Sequence, residues 1–219
     1  MAKESLEQKR VRVKKIIATL KKTYPDARLA LDFANPLELL IALILAAQAR
    51  DDLVNAVTAK LFREYRTPSD WANEEEAVLH QHLGKLNFYR NKTRSIQKAC
   101  RALLERFGGK VPNTLEDLLT LPGVGRKTAN ILLGNAFDQP AIGVDTHVGR
   151  LSQRLGLTRS EDPDEIEADL ARIVPPKDAV RFCHLLQFLG RRVCTARKPD
   201  CPHCSINQLC PWPHKTKAE

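Results

Sequence analysis

The sequence predicts an all-α protein. Three observations carry that prediction. Apolar residues recur at helical spacing in nearly every patterned stretch, no segment shows the regular alternation of a strand, and short connections are marked by proline, glycine or asparagine. With 219 residues the chain is long enough for one large domain or two small ones, each with a real core.

Taken in order, residues 5–22 carry Val13, Ile16, Ile17 and Leu20 among lysines and predict an amphipathic helix. Asn35-Pro36 reads as an N-cap followed by proline at the first helical position. It opens a buried apolar helix, LELLIALILAAQ, which Gln48 closes. Periodic stretches follow at 53–65, 75–85, 92–107, 113–121 and 126–136, separated by loops holding Pro68, Gly84, Gly108-Gly109 and Pro112. Asn113 reads as another N-cap, with Glu116 three residues on in a capping-box arrangement. Cys100 and Cys183 fall on apolar helical stretches as small core residues. Asp164 and Glu165 read as first-turn residues complementing a helix dipole.

Charge narrows the partners. Against 26 acidic residues stand 35 Lys and Arg, a net charge of +9, which favours a polyanion such as nucleic acid or an anionic membrane. Seven of the basic residues lie from Arg90 to Lys110, beside one acid, whereas six acids and no base lie from Glu161 to Asp169. No run reaches the ~18 apolar residues of a membrane span. The start, MAKESLEQKRVRVKK, is charged throughout and holds no apolar signal core. An intracellular, cytoplasmic protein is expected, so its six cysteines point to metal or redox use rather than a disulfide scaffold.

Two stretches carry chemistry. In LPGVGRKTAN, residues 121–130, Pro122, Gly123 and Gly125 make a tight turn before a helix that starts at Arg126. Glycines there permit backbone conformations or close approaches that a side chain would block. A helix N-terminus behind such a turn suits a phosphate and reads backbone rather than base. The other stretch is CTARKPDCPHCSINQLC. Cys194, Cys201, Cys204 and Cys210 are spaced C-x6-C-x2-C-x5-C, with His203 inside the short pair as an unlikely ligand. Four thiolates in one loop suit tetrahedral zinc or a [4Fe–4S] cluster, and their chemistry alone leaves both open.

The string LPGVGRKTA resembles the hairpin of the helix-hairpin-helix DNA glycosylases. Together with GVDTHVGR at 143–150 and the cysteine spacing, it resembles the endonuclease III branch over roughly residues 10–212. The resemblance implies two all-α domains with a cleft between them. One is a six-helix barrel at 27–138 ending in the hairpin, and the other joins 1–26 to 139–219 around a [4Fe–4S] cluster held by the four cysteines. It implies a bifunctional glycosylase and apurinic/apyrimidinic lyase, acting as a monomer on oxidised pyrimidines in double-stranded DNA, associated with the bacterial nucleoid. Lys127 would be the nucleophile and Asp145 its essential partner. DNA contacts would come from Leu121, Gly123, Val124, Gly125, Arg126 and Thr128 in the hairpin. Beyond it, His147, Arg150, Arg197 and Lys198 would contribute.

An enzyme acting on a base must take it out of the stack, and something must fill the vacancy. Proteins of this branch use two loops for that task. Here they are LAAQARD at 45–51, where Gln48 would be the polar plug, and NFYRNK at 87–92, where Phe88 would be the wedge. The second departs from the usual glycine–leucine–tyrosine–asparagine, since this chain has Asn87-Phe88-Tyr89-Arg90. From the residues alone, Phe88 and Tyr89 read as core packing. Three rivals are an adenine-mismatch glycosylase, which lacks the lysine and normally has a further C-terminal domain, a non-enzymatic DNA-binding redox module, and a zinc-bound structural protein. Lys127 with Asp145, and a sequence ending at Glu219, favour the lyase.

Overall fold

A computed structural model describes residues 4–217. Met1–Lys3 and Ala218–Glu219, which belong to the second expected domain, lie outside the described residues. Among the described residues there are eleven α-helices, two 3₁₀ turns and no strand. None of these helices is long and apolar enough to cross a membrane. By its contacts the chain divides into two compact units, Leu29–Gln139, and Met1–Arg28 with Pro140–Glu219.

The unit Leu29–Gln139 is built on α2 (Pro36–Ala46). Leu37, Leu39, Leu40, Ile41, Ala42, Ile44 and Leu45 are buried, so this helix is apolar on every side and must be central. Around it pack α3 (Asp51–Glu64), α6 (Tyr89–Phe107) and α8 (Arg126–Ala136). Asn35 caps α2 as expected, its Oδ1 accepting from the Glu38 amide at 3.0 Å. Against α6 lie α4 (Pro68–Asn73) and α5 (Glu76–Leu83), and α7 (Leu115–Leu119) packs on α8.

Three expectations need correction. The stretch around Pro68 is the helix α4, too short to show a period. Thr67 caps it, Pro68 opens it, and the Asp70 carboxylate returns a bond to the Thr67 amide at 2.7 Å. That capping box was legible in the sequence, and it seats Trp71 wholly inside the core. The cap of α7 is Thr114 rather than Asn113, because its hydroxyl receives the Asp117 amide at 3.2 Å. Finally, α2 ends at Ala46, before Gln48, and α6 starts at Tyr89, a turn earlier than its apolar period.

The other unit holds α1 (Leu6–Thr23), α9 (Thr146–Arg154), α10 (Pro163–Ala171) and α11 (Ala179–Arg192). The predicted face of α1, Val13, Ile16, Ile17 and Leu20, packs with Val148, Leu151, Phe182, Leu185 and Leu186. Cys194, Cys204 and Cys210 lie against the edge of this core. Asp162 caps α10 through the Asp164 and Glu165 amides, so those acids sit in the first turn as expected.

Because Thr67 closes a capping box over a buried tryptophan, Thr67→Ala should lower stability by about 1 kcal/mol. For a chain of this size that is a fall of roughly 2–4 °C in melting temperature, readable by thermal denaturation.

Candidate functional site

The hairpin joins α7 to α8. The side chains of Leu121 and Val124 are buried, and their amides donate to Leu118 O and Leu121 O, each at 3.1 Å. Both residues are thus spent inside the turn. They shape the hairpin from within. Gly123 is left-handed at φ +83°, and a Cβ there would lie 3.0 Å from Ser95 Cβ. No side chain fits. Gly125 differs, with φ −95° and ψ 173°, and an added Cβ would meet nothing within 4 Å. Its own chain does not require glycine there, so of the two only Gly123 is demanded by the turn itself.

Gly125 is the N-cap of α8, and no side chain caps this helix. The first helical bond runs from the Ala129 amide to Gly125 O at 2.9 Å. The amides of residues 126–128 therefore precede the internal ladder and form the positive end of the helix dipole. On this turn Lys127 is exposed, while Arg126 and Thr128 are half-buried.

Two loops of the same unit share an unusual backbone. Gln48 has φ +53° and Phe88 has φ +58°, both left-handed without being glycine. Each such residue costs about 1–2 kcal/mol. Asn87 Nδ2 donates to Gln48 O at 3.4 Å, which brings the loops together. Phe88 is 60% exposed, which rules out core packing. Tyr89 behind it is half-buried, its ring 5.2 Å from His80 and 5.7 Å from the Arg90 guanidinium. Side-chain periodicity carries no signal for these backbone angles.

Asp145 is the N-cap of α9, its Oδ1 accepting from the Val148 amide at 2.7 Å. Lys127 and Asp145 belong to different units. Arg150, expected at the DNA, also binds within its own unit. Its Nη2 donates to Gly190 O at 3.1 Å and Cys194 O at 2.9 Å, so the guanidinium is turned onto the main chain. Burial, then the neighbouring Arg154, hold its pKa below the usual arginine range. His147 is half-buried beside it, with Nδ1 3.2 Å from Arg150 Nη2. Arg197 and Lys198 are exposed on the cysteine loop.

Cys194, Cys201, Cys204 and Cys210 are free thiols that line one hollow with Arg154, Asn207, Trp212 and Lys215. Among the described residues no three His, Cys, Asp or Glu side chains gather as around a single ion. His203 Nδ1 lies 2.8 Å from Asp200 Oδ1. The wall residues gave no sequence signal. Arg154 Nη1 donates to Cys194 Sγ at 3.2 Å and Thr195 O at 2.8 Å, and its guanidinium lies 4.3 Å over the Trp212 ring. Lys215 Nζ donates to Asn207 O at 2.7 Å. Burial first, then repulsion from the neighbouring thiolates, push the Cys204 thiol up, and burial dominates at Cys210 too. An all-sulfur donor set whose thiolates repel one another suits a soft, cationic iron or zinc centre. Cys100 and Cys183 are buried and pushed up to about 12 by burial, as core thiols should be.

Residues 41–176 match the HhH-GPD superfamily of base excision DNA repair proteins. This chain belongs to that superfamily. Endonuclease III of Synechocystis is 46% identical over 94% of both chains, and that of Escherichia coli K12 is 39% identical over 91% of this chain and 95% of its own. Among solved structures, a trapped endonuclease III–DNA covalent intermediate is 43% identical with a TM-score of 0.87, covering 92% of this chain and 95% of that one. A thermostable thymine-DNA glycosylase, 22% identical with a TM-score of 0.81, shares the fold. The hairpin between α7 and α8 lies within the matched residues.

The two hairpin glycines should separate on substitution. Gly123→Ala combines a left-handed alanine with a clash on Ser95 and should cost roughly 2–4 kcal/mol. Gly125→Ala should leave the melting temperature within about 1 °C of the parent, because space and backbone both accept a methyl group. Equal losses in thermal melts of the two variants would contradict this assignment.

Proposed function

We infer that this chain is a bifunctional DNA glycosylase and apurinic/apyrimidinic lyase that excises oxidised pyrimidines from duplex DNA in base excision repair. The observation that carries the reading is Lys127, exposed on the first turn of α8, directly behind the hairpin of a base excision repair superfamily. The first-turn amides of residues 126–128, at the positive end of the α8 dipole, and the open space at Gly125 suit a phosphate of the DNA backbone. This anchoring is independent of sequence and accepts any damaged strand.

In the proposed chemistry the Lys127 amine attacks C1′ of the flipped nucleotide, and the base leaves with the electron pair of its glycosidic bond. Asp145 is the carboxylate that accepts the ammonium proton. Loss of the sugar ring oxygen as a leaving group gives a Schiff base. Removal of a C2′ proton then expels the 3′ phosphate by β-elimination. Hydrolysis releases Lys127. Gln48 and Phe88 would fill the space left by the flipped nucleotide. Their exposure and left-handed backbones aim side chains outward from one edge of the unit.

The four cysteines would hold a [4Fe–4S] cluster. When bound, it would cross-link the loop at four points and fix Arg197 and Lys198 as phosphate contacts. In this reading Leu29–Gln139 is the barrel and hairpin domain, and the other unit is the cluster domain. The protein acts as a monomer on nucleoid DNA in the cytoplasm.

Lys127→Gln should abolish the covalent complex trapped by borohydride on a duplex with one oxidised pyrimidine, while leaving duplex binding largely intact. Undiminished trapping would place the nucleophile elsewhere. Phe88→Ala should slow base removal from duplex about tenfold, ~1.4 kcal/mol of transition-state stabilisation. The lyase step on a pre-formed abasic site should suffer less, since less unstacking is needed there, and the melting temperature should hold. Parallel loss of both activities and of melting temperature would reject the wedge.

A further inference from the structure

The first turns of α6 hold a charged group that the chemistry above leaves unused. Lys92 is 5% exposed, and its Nζ is buried with no hydrogen-bond partner among the described residues. Burial alone holds its pKa below the usual lysine range. A buried ammonium without a partner opposes folding, so its place in the fold calls for an explanation.

Two contacts locate it. Three residues along α6, Ser95 lies at the point where Gly123 also approaches Ile44 of α2. At the head of α6, Asn87 reaches the carbonyl of Gln48. The C-terminal end of α2 therefore lies beside the N-terminal end of α6. Lys92 falls between these fixed points, level with the last turn of α2. Long helical side chains lean toward their own N-terminus, here toward Gln48. The last turn of α2 carries no basic residue, and a helix end presents unbonded carbonyls and the negative pole of its dipole.

We propose that Lys92 is a positioning residue for base opening, its buried ammonium securing the carbonyl end of α2 and, through it, the left-handed turn at Gln48 against the foot of the Phe88 loop. The hydrogen bond that Nζ lacks is supplied by a main-chain carbonyl of residues 45–49 as the two loops close on the opened duplex. Lys92 touches neither the base nor the sugar. The proposal rests on the reading of Gln48 and Phe88 as plug and wedge.

The test uses the whole protein and Lys92→Met, with Lys92→Gln as a second variant should the first fold poorly. The probe is a duplex with one oxidised pyrimidine and 2-aminopurine opposite it, whose fluorescence rises when that base loses its partner. Excision at saturating enzyme should fall by about tenfold in the variants, and the fluorescence rise should shrink with it. β-Elimination at a pre-formed abasic site should stay within about twofold, with no fall in melting temperature. In a Gln48→Ala background the same substitution should have little further effect, since both act through one loop. Unchanged excision, or an equal further loss in that background, would overturn the proposal. So would a loss of both activities that tracks melting temperature. Absence of excision by the unaltered protein would instead overturn the glycosylase reading, and this inference with it.

Discussion

The meeting of three elements at Gly123 sets the rest of the α2-centred unit. The hairpin turn, α6 through Ser95 and α2 through Ile44 converge there within 4 Å of where a Cβ would stand. A side chain at that position would press on Ser95 of α6 and have to hold a left-handed backbone. With none, the turn seats directly on both helices, and Leu121 and Val124 fix it from beneath. The start of α8 is then held in register with the far ends of α2 and α6, and those ends are the Gln48 and Phe88 turns. One close approach thereby couples the helix terminus that suits a phosphate to the two loops that suit an opened base pair.

The surface so assembled departs from what folding alone would favour. Gln48 and Phe88 occupy strained backbone regions, α6 and α8 begin without side-chain caps, and Phe88 is exposed. Several other helices follow ordinary capping rules. Ser5, Asn35, Thr67, Thr114 and Asp162 all cap their helices. The departures cluster on the loops and helix end of one unit, as expected where local stability gives way to function.

In the other unit α9 organises the cysteine loop. Arg150 and Arg154, one turn apart, bind the main chain of residues 190 and 194–196, and Arg154 also reaches a cysteine sulfur. The two guanidiniums set cationic charge beside four thiols. Residues 212–216 fold back over the same loop through Trp212, Lys215 and Thr216. Arg150 is therefore a strut that ties α9 to the main chain at Gly190 and Cys194.

How much of this was legible in the sequence follows from the range of each interaction. The all-α class, the core face of α1, the central apolar α2, the cap at Asn35 and the spacing of the four cysteines are properties of residues close along the chain, where helical period and capping chemistry act. They were readable, as was the capping box at Thr67. Whether a side chain points inward is decided by partners far away in sequence. Leu121 and Val124 turned out buried, Phe88 exposed and Arg150 folded onto Gly190 and Cys194, because distant segments occupy or vacate the space around them. The two hairpin glycines look alike in LPGVGRKTAN. Only the folded turn, left-handed at Gly123 and pressed there by Ser95, makes Gly123 the glycine the fold needs and leaves Gly125 open to whatever approaches from outside.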